Sequence, residues 1–121
     1  MGRSVLIVDD SVVIRTFIRG YLPEEGGYTS LEAANGLEAV EAYRKARPDL
    51  VFLDLTMPVM DGVTALARIM EMDPTARVVV VTADVQPKSV QRVLDMGAVK
   101  VLKKPPIKEE VRAALQLMEA P

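Results

Sequence analysis

Four short apolar runs punctuate the chain: Val5-Leu6-Ile7-Val8, Leu50-Val51-Phe52-Leu53, Val78-Val79-Val80-Val81, and Val99 to Leu102 broken only by Lys100. They are rich in β-branched residues and continuous rather than alternating, which is how strands read when both faces of a parallel sheet are covered. A more polar segment, Tyr28 to Ala33, predicts a fifth strand at an edge of the sheet.

Between these runs the period becomes helical. After Ser11, a good N-cap, Ile14, Phe17, Ile18, Tyr21 and Leu22 share one face. From Asn35 the stripe Leu37, Val40 and Tyr43 repeats the pattern and stops at Pro48. A third stripe, Leu66, Ile69 and Met70, starts from Gly62 and ends before Asp73-Pro74. The fourth helix opens near Pro87, carries Val90, Val93 and Leu94, and stops at Gly97. The fifth uses Ile107, Val111, Leu115 and Met118.

Strand and helix therefore alternate five times. Short connections between them imply right-handed crossovers and an α/β fold: a (βα)5, doubly wound, open parallel five-stranded sheet with helices on both faces. Ligands bind such sheets outside the carboxyl ends of the strands.

The length of 121 residues fits one domain over 1–121, with room for a core that needs no disulfide or structural metal. There is no His and no Cys, which removes Ser-His-Asp and Cys-His catalysis, zinc sites, haem ligation and thiol redox chemistry. Fifteen basic against seventeen acidic residues, without a basic cluster, argue against nucleic acid as a partner. Val5 to Val8 is too short for a signal-peptide core and no run reaches membrane-spanning length, so a cytoplasmic protein with no membrane partner is expected.

Each of the four apolar runs ends in a chemically capable residue: Asp9 and Asp10, Asp54, Thr82, and the pair Lys103-Lys104. Singly these have plain explanations, as a capping cluster, a turn residue, a second cap and solvated lysines. The predicted topology gathers them at one sheet edge. Three carboxylates brought together repel unless they share protons or bind a cation. An all-oxygen set points to Mg2+ or Mn2+, and a lysine and a threonine hydroxyl beside it suit a phosphoryl group. The best nucleophile left is a carboxylate, and its product would be an aspartyl phosphate. Neither G-x-x-x-x-G-K-[ST] nor G-x-G-x-x-G occurs, so ATP and dinucleotides are not expected as ligands.

At these residues the chain resembles the receiver domain of two-component response regulators, the CheY-like family. The matching segments are Val8-Asp9-Asp10-Ser11, Asp54-Leu55-Thr56-Met57-Pro58-Val59-Met60-Asp61-Gly62, Thr82-Ala83, Gly97-Ala98 and Lys104-Pro105, and they cover essentially the whole chain. The resemblance implies a flavodoxin-like strand order 2-1-3-4-5, with Asp54 as phosphoacceptor. It makes Asp10 and Asp54 direct ligands of Mg2+, Asp9 a ligand through water, and the Thr56 main-chain carbonyl a further ligand. Thr82 becomes the switch hydroxyl and Lys104, rather than Lys103, the phosphoryl partner, with a cis Lys104-Pro105 bond. Thr56 and Asp84 fall where family residues tune phosphoryl lifetime. Partners would be a sensor histidine kinase or a histidine phosphotransfer protein, and a downstream protein bound through the fourth helix, fifth strand and fifth helix. On this reading the protein is a signalling switch that catalyses its own phosphotransfer and dephosphorylation rather than a turnover enzyme.

Two positions depart from the family pattern. Val101 stands where an aromatic commonly couples to the switch hydroxyl, and Pro106 where many members carry a bulky aromatic. Loop movement after strands three and four, without a large rotation at Val101, is the expectation. In the loop after Asp54, Pro58 is expected to stiffen the chain and Gly62 to permit a turn that a Cβ would resist. Two other readings compete. A small Mg2+-dependent aspartyl-phosphate phosphohydrolase would need an acid at position 56 and its nucleophile on the first strand. A scaffold that no longer accepts phosphate would not need the acidic set and Lys104.

Overall fold

The computed structural model describes residues 3–119; residues 1–2 and 120–121, the ends of the expected 1–121 domain, lie outside the described residues. The order is β1 (Arg3–Val8), α1 (Val12–Tyr21), β2 (Tyr28–Ala33), α2 (Gly36–Ala46), β3 (Leu50–Asp54), α3 (Gly62–Met72), β4 (Val78–Thr82), α4 (Pro87–Asp95), β5 (Lys100–Lys103) and α5 (Lys108–Leu115), followed by a 3-10 turn (Gln116–Glu119). All pairings are parallel and the strand order is β2-β1-β3-β4-β5, the flavodoxin-like order.

Alternate residues of the central strands feed two cores, which explains why their sequences are apolar without a break. Leu6, Val8, Val51, Leu53, Val78 and Val80 pack with Ala39 and Tyr43 of α2, Ala65, Leu66 and Ile69 of α3, and Val93 of α4. Val5, Ile7, Leu50, Phe52, Val79 and Val81 face the other way, onto Ile18 of α1 and Val111, Ala114 and Leu115 of α5. The strand order reverses between β1 and β3, so the carboxyl ends of these two strands open a crevice where Asp9 and Asp54 lie.

The helix boundaries have local causes. Ser11 caps α1 by accepting the Ile14 N–H at 3.3 Å, and Asn35 caps α2 by accepting the Glu38 N–H at 2.9 Å. Pro87 opens α4, and Gly97, at φ 115°, lets the chain leave it.

Several apolar positions assigned to helical core stripes lie elsewhere. Phe17 is 45% exposed, at the edge of the apolar arc of α1, with its ring stacked on Tyr21. Leu37 is exposed because the first turn of α2 is buried through Gly36 and Ala39 instead: the Gly36 N–H donates to the Met60 carbonyl at 2.9 Å, and a Cβ at Gly36 would strike that oxygen. Leu94 and Ile107 are exposed, the latter as the N-cap residue of α5; Met118 falls in the 3-10 turn rather than in α5 but still packs against the core beside that helix. β5 runs one residue later than the Val99–Leu102 run, and Val99 is exposed before it.

Candidate functional site

Every strand that carries a candidate residue delivers it to the same edge. Asp9 follows β1 directly, Asp54 and Thr82 are the last residues of β3 and β4, and Lys104 follows β5. Asp9, Asp54 and Thr82 are buried, whereas Asp10 and Thr56 are exposed. One carboxylate oxygen from each of Asp9, Asp10 and Asp54 falls within 4.8 Å of the others.

Lys104 closes this cluster. Its Nζ lies 2.8 Å from Asp9 Oδ2 and 3.0 Å from Asp54 Oδ1. Lys103, by contrast, is exposed and borders an open cavity of about 510 Å3 with Ala83, Asp84, Val85 and Gln86. The Lys104-Pro105 bond is cis, as the resemblance implied, and the Lys104 N–H donates to the Thr82 carbonyl at 2.9 Å. The Thr82 hydroxyl accepts the Asp84 N–H at 3.1 Å, so it acts as a local cap beside the acidic cluster.

Asp54 has an uneven set of partners. Oδ1 takes the Lys104 ammonium and, at 3.3 Å, the Thr56 N–H, while Oδ2 is buried and without a hydrogen-bond partner. A buried orphaned carboxylate oxygen is costly in itself and marks a place for a ligand. Burial raises the Asp54 pKa, the Asp9 charge adds to this, and the Lys104 and Thr56 donors oppose it. Burial by itself would lower the Lys104 pKa, but its bonds to Asp9 and Asp54 hold it above the ordinary lysine value.

The donor set fits a hard divalent cation. It consists of oxygens only, one carboxylate oxygen lacks a partner, and the exposed Asp10 leaves a side open for waters, as Mg2+ requires.

The loop after Asp54 is shaped by two contacts. Gly62 does not supply a left-handed turn: it is the first residue of α3, and a Cβ there would run into the Asp54 carbonyl oxygen. The left-handed residue is Val59, at φ 68° and 79% exposed, where the Met60 N–H donates to the Pro58 carbonyl at 2.7 Å. An i to i+2 bond about a positive φ is a strained γ-turn.

Sequence reasoning missed Arg15. One turn into α1, it reaches back so that Nη1 donates to the Asp9 carbonyl at 2.6 Å, while Nε is paired with Glu32 of β2 at 2.9 Å. Its position four residues after the N-cap was the available signal, because helical side chains lean toward the N-terminus.

An acidic pocket with a lysine bridge, at the reversal point of a parallel sheet, defines an α/β domain built to handle phosphoryl groups. The comparisons narrow this class. The profile of the response regulator receiver domain matches residues 5–116, and the chain belongs to that family. It is 40% identical over 105 residues to the chemotaxis protein CheY of Thermotoga maritima, covering 87% of this chain and 88% of the relative. It is 38% identical over 116 residues to sporulation initiation phosphotransferase F of Bacillus subtilis, covering 96% and 93%. Among solved structures, a chain of the CheX-CheY-BeF3-Mg2+ complex from Borrelia burgdorferi superposes with a TM-score of 0.91 at 36% identity, covering 98% of this chain and 90% of that one. The domain is thus a receiver of the CheY type, a phosphorelay signalling module, and the phosphohydrolase reading is not favoured. Receiver domains of this type are signalling switches. Among the described residues no helix is long and apolar enough to cross a membrane.

Proposed function

We propose that the chain is a single receiver domain, 1–121, in which Asp54 accepts a phosphoryl group from a phosphohistidine of a cytoplasmic sensor histidine kinase or histidine phosphotransfer protein. With no His of its own, the chain depends on an outside donor for that route. An Asp54 carboxylate oxygen forms the new P–O bond as the donor's P–N bond breaks, and the electron pair leaves with the donor imidazole. Asp10 and Asp54 would hold Mg2+ or Mn2+ directly, with the Thr56 carbonyl, and Asp9 would act through water; a bound cation would supply charge neutralisation on the phosphoryl oxygens. Lys104 pairs with one phosphoryl oxygen and the Thr82 hydroxyl donates to another, which places donors where charge develops. The same pocket admits water for dephosphorylation, at a rate tuned from Thr56 and Asp84. The changed surface of α4, β5 and α5, where Leu94, Val99 and Ile107 are exposed, binds the downstream protein.

The observation that carries this reading is the Asp54 carboxylate, bonded to Lys104 through one oxygen and unpartnered at the other, inside the acidic cluster. Incubation with Mg2+ and a small acyl phosphate, followed by intact mass, tests it. One added phosphoryl group in the wild type and none in Asp54→Asn is expected. An unmodified wild type, or an equally modified variant, would overturn it.

A further inference from the structure

Every polar group of Asp9 is occupied by the protein itself. Its N–H donates to the Ala33 carbonyl at 3.1 Å, Oδ1 accepts the Ser11 N–H at 2.9 Å, Oδ2 takes Lys104 at 2.8 Å, and its carbonyl takes Arg15 Nη1 at 2.6 Å. Only the last of these partners is a side chain brought in from a helix for the main chain alone. The Arg15 side chain is 14% exposed, and Glu32 on β2 holds its other edge. Glu32 is itself shared with Arg19, and its pKa is lowered chiefly by the Arg15 bond. The guanidinium is therefore a rigid strut from the edge strand to the end of β1, fixed by the planar fork that only arginine provides.

We infer that Arg15, braced by Glu32, is a positioning residue for the acidic pocket: it fixes the main chain at Asp9 and thereby the aim of the Asp9 and Asp10 carboxylates toward a divalent cation. The inference rests on the reading of that pocket as a cation site. Its electrostatics make it separable from other roles. A guanidinium near a cation site repels the cation, so removing it by charge alone tightens binding. Loss of a positioning partner instead weakens binding, by roughly tenfold or more where ligands lose their outer support.

Mg2+ alone is the probe. Its dissociation constant is measured by titration of backbone amide shifts in the wild type, Arg15→Met, Arg15→Lys and Glu32→Gln, with metal-free thermal melts alongside. Both Arg15 variants are expected to weaken Mg2+ binding roughly tenfold. Lysine keeps the charge but cannot bridge Glu32 and the Asp9 carbonyl together, and it carries the test should Arg15→Met not fold. Glu32→Gln is expected to weaken binding by a smaller factor. Unchanged or tighter Mg2+ binding in the Arg15 variants, with only a lowered melting temperature, would overturn the inference and leave the cation site standing. Failure of the wild type to bind Mg2+ would overturn the cation site and the inference together.

Discussion

Lys104 Nζ lies 3.0 Å from Asp54 Oδ1, yet the Asp54 pKa remains raised, because burial and the Asp9 charge outweigh the ammonium. Folding therefore makes the ionised form of Asp54 costlier than it is in the unfolded chain. A carboxyl whose folded pKa exceeds its unfolded value costs stability increasingly as pH rises through that interval, and the whole cost is present above it. Asp54→Asn is thus expected to stabilise the metal-free domain by about 1 kcal/mol at neutral pH, the order of gains found at strained functional sites. The same change removes phosphorylation. Urea denaturation of both proteins without Mg2+ checks the sign, and a destabilised variant would show that the Lys104 pair outweighs the burial cost.

Val59 carries a second such cost. A β-branched residue at φ 68° crowds its own backbone, and with 79% of its surface exposed it recovers little from packing. Val59→Gly is expected to raise stability by up to about 1 kcal/mol, since glycine takes a positive φ without a Cβ penalty, less what its extra unfolded-state freedom costs. A shift of the denaturation midpoint to higher urea, with the slope unchanged, is the expected result.

The two periods visible in the chain were enough for the alternation of strand and helix, because the central strands are apolar on both faces and α1 and α2 are capped by Ser11 and Asn35, while the strand order came with the family resemblance. The site's location followed from the polar residue at each strand end, and the choice of Lys104 over Lys103 needed the family resemblance. What could not be read were contacts made by small residues or by reach. Gly36 and Ala39 join Tyr43 on the buried face of α2 in place of Leu37, because close approach to the Met60 carbonyl excludes a Cβ at Gly36. Gly62 was misjudged in the same way, as a turn residue rather than one pressed against the end of β3. Arg15 lies on α1, and its bond to the Asp9 carbonyl depends on the backward lean of a helical side chain rather than on any polar residue at a strand end.

At the opposite end of the sheet, the Tyr43 hydroxyl donates to Asp73 Oδ2 at 2.7 Å and so ties α2 to the end of α3. The Thr75 and Tyr43 hydroxyls hold the Asp73 carboxyl down to about 2, while Tyr43, buried and facing that carboxylate, is raised above the ordinary phenol value. A depressed carboxyl contributes stability that is present above its unfolded pKa of about 3.9 and is lost as pH falls through the folded value. The stability difference between wild type and Asp73→Asn is therefore expected to shrink between about pH 4 and pH 2. Tyr43→Phe keeps the ring in the core and removes one hydrogen bond, for a loss of about 1 kcal/mol at pH 7. Urea midpoints across that pH range measure both.

The Thr82 hydroxyl accepts the Asp84 N–H at 3.1 Å, and Asp84 in turn accepts the Gln86 N–H at 3.1 Å and the Ser89 hydroxyl at 2.7 Å. One chain of bonds thus runs from the end of β4 into the first turn of α4. Val101 has no hydroxyl or ring with which to carry the change along β5, so this chain is the polar route from Thr82 toward the exposed face. The hydroxyl can donate to a phosphoryl oxygen while still accepting the Asp84 N–H, so this bond breaks only if the Thr82 oxygen itself shifts toward Asp54, and that shift is the movement expected here. Phosphorylation with an acyl phosphate and Mg2+ is therefore expected to speed hydrogen exchange at the Asp84 amide several-fold while the Val101 side-chain rotamer stays fixed. Thr82→Ala is expected to show fast exchange at Asp84 whether or not it is phosphorylated. Unchanged Asp84 exchange accompanied by a rotamer change at Val101, read from methyl couplings, would instead assign the coupling to β5.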